Sequence, residues 1–236
     1  MKIALVVTDL APARIGGISR VATELGANLA SLGHRVLAYV LQRDRNPGAR
    51  EYRGIELRYI EPFPTPNRDY PVVGFSRRAF ARLAVDARRE SFDVVHSFNL
   101  NSIALPRFAG ELSARGIKLA VSSFETIMMD VRAKFRESLS LLSPLTVPQI
   151  AFESYLAIAH ERRYLGTADA VFTEDENTRG ALLQMGIDDA RVHVIPSGVD
   201  LEASRAASLP RVDLGAPGPR VGYIGRADPR MGVQYL

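Results

Sequence analysis

Residues Lys2–Gly17 read KIALVVTDLAPARIGG, and the first six of them decide the fold class. KIALVV (Lys2–Val7) is an apolar run rich in β-branched residues, without the alternation of a strand that has one wet face. That pattern belongs to a strand buried on both sides, as in parallel sheets covered by helices. The run passes into a loop, TDLAPARIGG, after which Ile18, Val21, Ala22, Leu25, Leu29 and Leu32 recur at helical spacing up to Gly33. A glycine at that point is placed to end a helix.

The strand and helix unit then repeats. Strands are predicted at His34–Leu41, Ile55–Ile60, Asp93–Phe98, Lys118–Phe124, Ala170–Thr173 and Arg191–Pro196, with helices at Ser76–Glu90 and Ser102–Ala114. Thr173 with Glu176 has the spacing of a capping box before a further helix that reaches Met185. Repeated β-α units with buried strands predict an α/β fold with a doubly wound, Rossmann-like parallel sheet. Two regions interrupt the rhythm. EPFPTPNRDYP (Glu61–Pro71) should be an extended surface loop, because each proline removes a donor and disfavours helix before it. The second is a mostly helical insertion, Met128–Leu165. From Glu202 to Pro219 the composition turns to Ala, Ser, Pro and Gly, and strand-like residues follow. The expected organisation is an amino-terminal domain over 1–201, a linker over 202–219 and the start of a second domain over 220–236.

Composition narrows the function. At 236 residues, 47% hydrophobic and 24% charged, the chain is of ordinary globular character. It has no cysteine, which excludes disulfides, thiolate catalysis and cysteine-rich zinc sites. No stretch approaches the roughly 20 apolar residues of a membrane span, so a cytoplasmic protein is expected. The net charge of +4 comes mainly from arginines, including Arg77, Arg78, Arg82, Arg88 and Arg89 on one predicted helix. No aromatic stacking pattern accompanies them, and no nucleic-acid partner is expected. In the insertion, Met128, Met129, Val131, Phe135, Leu139, Leu141 and Leu142 lie among Arg132, Lys134 and Arg136. That mix suits either a peripheral contact with an anionic membrane over 128–165 or a helical flap packed on protein.

In doubly wound sheets ligands collect beyond the carboxyl ends of the strands. Gly16 and Gly17 follow the first strand and open a helix, where free backbone N–H groups and the helix dipole favour a phosphate; a purely structural turn would use two glycines as well. The G-x-G-x-x-G spacing of a dinucleotide site is absent, and Asp44 lies too far along to serve as its ribose partner. His96 and Asn99 end one predicted strand and Glu125 ends the next, so all three should open onto one crevice. A histidine or carboxylate there could hold or deprotonate a substrate hydroxyl, or could equally be a sheet histidine and a capping acid. His34, His160 and His193 lack metal-like spacing, and Glu174, Asp175 and Glu176 suit the first turn of a helix better than a metal. No metal and no cofactor are expected.

Several stretches taken together resemble one family. They are the Gly16–Gly17 loop, SLGHRV (Ser31–Val36), FDVVHSFN (Phe92–Asn99), TADAVFTEDENTR (Thr167–Arg179), VIPSGVD (Val194–Asp200) and VGYIGRADPRMGV (Val221–Val233). In this order they resemble the amino-terminal half of GT-B-fold retaining glycosyltransferases of family 4. The resemblance implies transfer of a sugar from a nucleotide-sugar donor to a glycan, lipid or small-molecule acceptor, in carbohydrate biosynthesis. It implies that Gly16 and Gly17 meet the donor phosphates from one domain while Arg226 and Arg230 meet them from the other. Glu125 and His96 would be the catalytic candidates and Asn99 an acceptor contact. It also implies that most of the donor-binding domain lies beyond Leu236, as in a truncated product. The sequence departs from the family where a lysine is usual, at Met231, where a histidine commonly follows the fifth strand, at Glu125, and where an asparagine is usual, at Ser197. The competing readings are a non-catalytic Rossmann-like binding module and an NAD-dependent oxidoreductase.

Overall fold

The computed structural model describes residues 1–12, 16–43, 48–61, 72–129, 131, 151–152, 154–155, 157–199 and 201. The expected linker and second-domain start, the proline-rich loop and most of the insertion lie outside the described residues.

Strand β1 (Lys2–Val6) leads to α1 (Gly17–Ser31), β2 (Arg35–Leu41), the short β3 (Glu51–Tyr52) and β4 (Ile55–Ile60). Then come α2 (Val72–Asp86), β5 (Val94–Phe98), a 3-10 turn (Asn99–Ser102), α3 (Leu105–Ser113) and β6 (Lys118–Ser122). A single π-helical turn (Ala157–Glu161) enters α4 (Arg162–Thr167), followed by β7 (Ala170–Thr173), α5 (Glu176–Gln184) and β8 (Val192–Val194). The strands form one eight-stranded sheet in the order β3-β4-β2-β1-β5-β6-β7-β8. Every pairing is parallel except β3 with β4, which is antiparallel.

The strand order decides where the helices go. From β1 the chain steps one way to β2 and β4, then returns past β1 to β5 and steps the other way to β8. Right-handed crossovers put helices on opposite faces for opposite directions of travel. Accordingly Ala22 and Ala27 of α1 pack with Ile3, Leu5, Val36, Ala38 and Ile55 on one face. Phe75, Phe80 and Leu83 of α2, Leu105 and Leu112 of α3, Tyr164 and Leu165 of α4 and Leu182 of α5 pack with Ala4, Val6, Leu37 and Tyr39 on the other. Successive residues of β1 therefore enter two different cores, which is why its sequence shows no polar alternation.

Helix α1 ends as its sequence predicts. Gly33 takes φ +84°, its N–H donates to the Ala30 carbonyl at 2.9 Å, and the His34 N–H reaches back to Leu29 at 3.1 Å. These are the two bonds of a Schellman motif, which needs the left-handed conformation that glycine adopts without strain. In the middle of the same helix Gly26 lets the backbone close on the sheet. A Cβ there would lie 2.8 Å from Ile55 Cδ1 and 3.0 Å from Leu5 Cδ1. Gly26→Val is expected to cost about 2 kcal/mol through overpacking; an unchanged urea midpoint would show that α1 can lift off without loss.

The capping box predicted from Thr173 is corrected by the structure. Strand β7 runs through Thr173, so the helix starts later and Asp175 is its N-cap, accepting from the Thr178 N–H at 2.8 Å. Thr173 is 1% exposed, and its hydroxyl has no hydrogen-bond partner among the described residues.

Candidate active site at the β1/β5 switch point

The reversal of strand order between β1 and β5 makes their carboxyl ends the topological switch point, where open α/β sheets form their ligand crevice. The loop after β1 is strapped across this point. The Thr8 N–H donates to Asn101 Oδ1 at 3.1 Å, and the Ala11 N–H to Thr23 Oγ1 of α1 at 3.2 Å. Asn101 is itself fixed. Its Nδ2 donates to the Phe98 carbonyl at 2.8 Å, and its own carbonyl accepts from Ser76 Oγ at 2.6 Å.

Gly16 and Gly17 are exposed at the start of α1 on this edge. Gly16 is the N-cap with φ −138° and ψ 177°, extended backbone that any residue can take, and no side chain caps the helix. A Cβ built on either glycine meets nothing within 4 Å. Among the described residues neither the backbone conformation nor packing requires glycine here. The pair stands at the N-terminus of a 15-residue helix, where first-turn backbone N–H groups have no partner within the helix itself.

Asn99 begins the 3-10 turn after β5 with φ +43°, a conformation asparagine tolerates better than most residues. Its Oδ1 accepts from the Phe124 N–H at 3.2 Å, linking the ends of β5 and β6. Glu125 is the next residue and is exposed at the same edge. The structure thus brings Asn99 and the Glu125 turn together.

His96 is placed differently from the expectation that it opens onto the crevice. It lies in the middle of β5, 8% exposed, with its ring stacked on Phe98 at 4.8 Å between centroids and tilted against Phe172 at 5.5 Å. Its Nε2 pairs with Ser122 Oγ at 2.8 Å. Burial pushes its pKa down to about 4, which leaves the imidazole neutral at physiological pH. The strand continues to Phe98, so the alternation of side chains sends His96 into the sheet face instead of beyond its edge.

The structure also assembles residues that the sequence pattern did not single out. Asn101 holds the loop after β1 at the switch point, and Thr178 Oγ1, which donates to Asp175 Oδ2 at 2.9 Å, lies against the Phe124 carbonyl at 3.4 Å. Glu161 is 1% exposed and accepts from the Ile127 N–H with both oxygens, at 2.8 and 3.0 Å. A signal for Glu161 existed: it shares helical spacing with Tyr164, Leu165 and Ala168, all buried, which puts an acid on an apolar face. The Glu174–Glu176 run is accounted for locally. Glu174 accepts from Ser197 Oγ, Asp175 caps α5 and Glu176 pairs with Arg179. Among the described residues no group of His, Asp and Glu is placed to hold a metal ion. Arg226, Arg230 and Met231 lie outside the described residues.

A family model described as Glycosyltransferase Family 4 matches residues 15–203, from the loop before α1 to past β8. The chain belongs to glycosyltransferase family 4. No curated protein matches it. Among solved structures it is similar to sucrose-phosphate synthase from Thermosynechococcus elongatus, at 16% identity and a TM-score of 0.61, over 89% of this chain and 53% of that one. The catalytic domain of starch synthase IV from Arabidopsis thaliana, bound to ADP and acarbose, is 14% identical with a TM-score of 0.57, over 86% and 52%. Anabaena HepE, in complex with UDP and glucose, is 16% identical with a TM-score of 0.51, over 86% and 46%. The family 4 chain thus spans about half the length of these structures, and at such identities the likeness shows the shared fold.

Proposed function

We propose that this chain is the acceptor-side domain of a retaining glycosyltransferase that moves a sugar from a nucleotide-sugar donor to an acceptor hydroxyl. The observation that carries the reading is the pair Gly16 and Gly17. They stand at the switch point of a family 4 domain, where among the described residues neither backbone conformation nor packing demands glycine. Their bare N–H groups at a helix N-terminus suit the donor phosphates. The UDP in HepE and the ADP in starch synthase IV agree with a nucleotide donor. On the other side of the crevice Glu125 serves the acceptor hydroxyl, as a proton acceptor or as a hydrogen-bond partner, and Asn99 fixes its turn. His96 is neutral and tied to Ser122, and it acts from beneath by setting the ends of β5 and β6. No metal or redox cofactor takes part in this reading, and the protein works in the cytoplasm or at the inner face of the membrane.

The decisive experiment is calorimetry with nucleoside diphosphates on a chain extended through the donor domain, comparing wild type with Gly17→Val. Open space around Gly17 means that the variant should fold normally, while the branched side chain blocks anion approach. Affinity should fall about thirtyfold, the loss of a charge-assisted contact of roughly 2 kcal/mol. Equal affinity in both would remove the phosphates from this turn. On such a chain Arg226→Ala should cost a similar factor, and Met231→Lys should strengthen binding by adding a second cation.

The 236 residues alone should turn over no nucleotide-sugar, because transfer between domains needs both walls of the cleft to orient the reactants and exclude water. Turnover in a broad donor and acceptor screen would contradict this. Retention at the anomeric carbon is read from the product's NMR coupling. Among the described residues no helix is long and apolar enough to cross a membrane. Contact of the 128–165 region with an anionic membrane is tested by vesicle sedimentation at low salt, and a chain that stays in the supernatant rules it out.

A further inference from the structure

The turn that presents Glu125 is held from three directions, and one of the three holds is costly. Asn99 Oδ1 accepts from the Phe124 N–H on the β5 side, and Thr178 Oγ1 of α5, which donates to Asp175 Oδ2 at 2.9 Å, lies against the Phe124 carbonyl at 3.4 Å. The third hold comes from below. Glu161 ends the π-helical turn before α4 and aims both carboxylate oxygens at the Ile127 N–H, where a helical turn begins just after Glu125. The Met128 N–H and the Tyr164 hydroxyl lie near the same carboxylate and favour its charged form. Single π-helical turns recur at functional sites, where they turn a side chain off the regular helical track.

A buried carboxylate is an expensive way to satisfy a backbone N–H group at a helix start. Asp, Asn, Ser or Thr at the N-cap position does so locally and stays in water. Here Thr126, itself 1% exposed, already accepts from the Met129 N–H at 3.1 Å. The local cap is therefore filled, and Glu161 adds a long-range clamp 34 residues away in sequence. We propose that Glu161 is the positioning residue for Glu125, gripping the Ile127 amide so that the turn carries Glu125 at the crevice edge. The inference rests on the reading of Glu125 as the acceptor-side acid.

The charged and titratable groups that face Glu161 fit this role. From the turn above comes Glu125, whose negative charge opposes that of Glu161, and from α4 comes the Tyr164 hydroxyl, which favours the charged form. Burial is the larger influence and, with Glu125, raises the Glu161 pKa to about 7 against the pull of the amides. The two acids therefore sense each other, and the proton on Glu161 reports on the turn.

The test uses the 236-residue chain without donor or acceptor, followed by NMR of its amides and glutamate carboxyls. In wild type the Ile127 and Met128 amide signals should shift together with the Glu161 carboxyl, with a midpoint near pH 7. Glu161→Ala should lower exchange protection at the Ile127 amide about tenfold or more relative to β6. Glu161→Gln keeps one acceptor oxygen and should restore much of that protection while abolishing the titration. Glu125→Gln should move the Glu161 midpoint down, because it removes a like charge. Amides at Ile127 and Met128 that ignore pH, protection unchanged by Glu161→Ala, or a midpoint unmoved by Glu125→Gln would each overturn the proposal. If Glu161→Ala does not fold, the wild-type titration and the Glu125→Gln arm decide it. None of these readouts needs nucleotide or turnover. Their failure leaves the glycine turn as a phosphate site untouched, and failure of nucleotide binding leaves them standing.

Discussion

Asp86→Ala is expected to destabilise the chain by about 3 to 5 kcal/mol at neutral pH, the usual result of breaking one side of a buried ion pair. Asp86 is the last residue of α2 and only 5% exposed. Its Oδ2 accepts from the Tyr39 hydroxyl at 2.9 Å and from Arg58 Nη1 at 2.7 Å, and Oδ1 accepts from Arg82 Nε at 3.0 Å. Arg58 continues the network to Glu90 at 2.6 Å and Glu56 at 3.1 Å, and Lys2 also pairs with Glu90. Removing the carboxylate leaves a fully buried tyrosine hydroxyl without its acceptor and a half-buried guanidinium short of a counter-charge. Burial pushes the Asp86 carboxyl up, but the hydrogen bonds from Tyr39, Arg58 and Arg82 outweigh it and hold its pKa below the usual 3.8. A depressed acid adds stability above its unfolded pKa and loses it as pH falls through the folded one. Urea unfolding at pH 7 and pH 3 should therefore show the gap between wild type and Asp86→Ala narrowing in acid. A variant within 1 kcal/mol of wild type at pH 7 would mean that the network contributes geometry and little energy.

Glu161→Gln should act in the opposite sense. Burial raises the folded-state pKa of Glu161 from 4.5 to about 7. A raised acid contributes stability that is fully present below the unfolded pKa and is lost as pH rises through the folded value. Between about pH 4.5 and pH 7 the wild type should lose roughly 3 kcal/mol from this group, at about 1.4 kcal/mol per pKa unit. The substituted glutamine side chain does not ionise and avoids the loss. Relative to wild type the variant should be markedly more stable at pH 8 than at pH 5, as read from urea midpoints at the two pH values. A difference that does not change with pH would show that Glu161 is solvated.

Legibility followed the range of the interactions. The strand over Ile55–Ile60 and that over Ala170–Thr173 coincide with their predicted bounds. The helix stop at Gly33 is equally local, since one residue's φ and two backbone bonds create it. The predicted helix over Ser76–Glu90 is found at Val72–Asp86. There Asp86 accepts Tyr39, Arg58 and Arg82, partners from two strands and its own helix. The helix over Ser102–Ala114 begins instead with a separate 3-10 turn at Asn99–Ser102, held by Ser76 from α2 through the Asn101 carbonyl.

The site divides in the same way. Periodicity and the position after a strand were enough to mark Gly16, Gly17, Asn99 and Glu125 as edge residues, because in a parallel α/β sheet every strand exits at the same edge. They could not show that β1 and β5 are neighbours. That pairing places the crevice, and it depends on which way each crossover steps after β4. Nor could they show that His96 turns into the sheet while Glu125 faces out, since a shift of one residue in where a strand ends reverses the facing of a side chain. The amino-acid sequence by itself determined the β-α rhythm, the two-sided burial of the strands and the family pattern, all set by short-range periodicity. Only the tertiary structure decided the strand order, the burial of His96 and the grip of Glu161 on Ile127, because each depends on contacts between residues tens of positions apart, whose cost or gain appears only when the sheet closes.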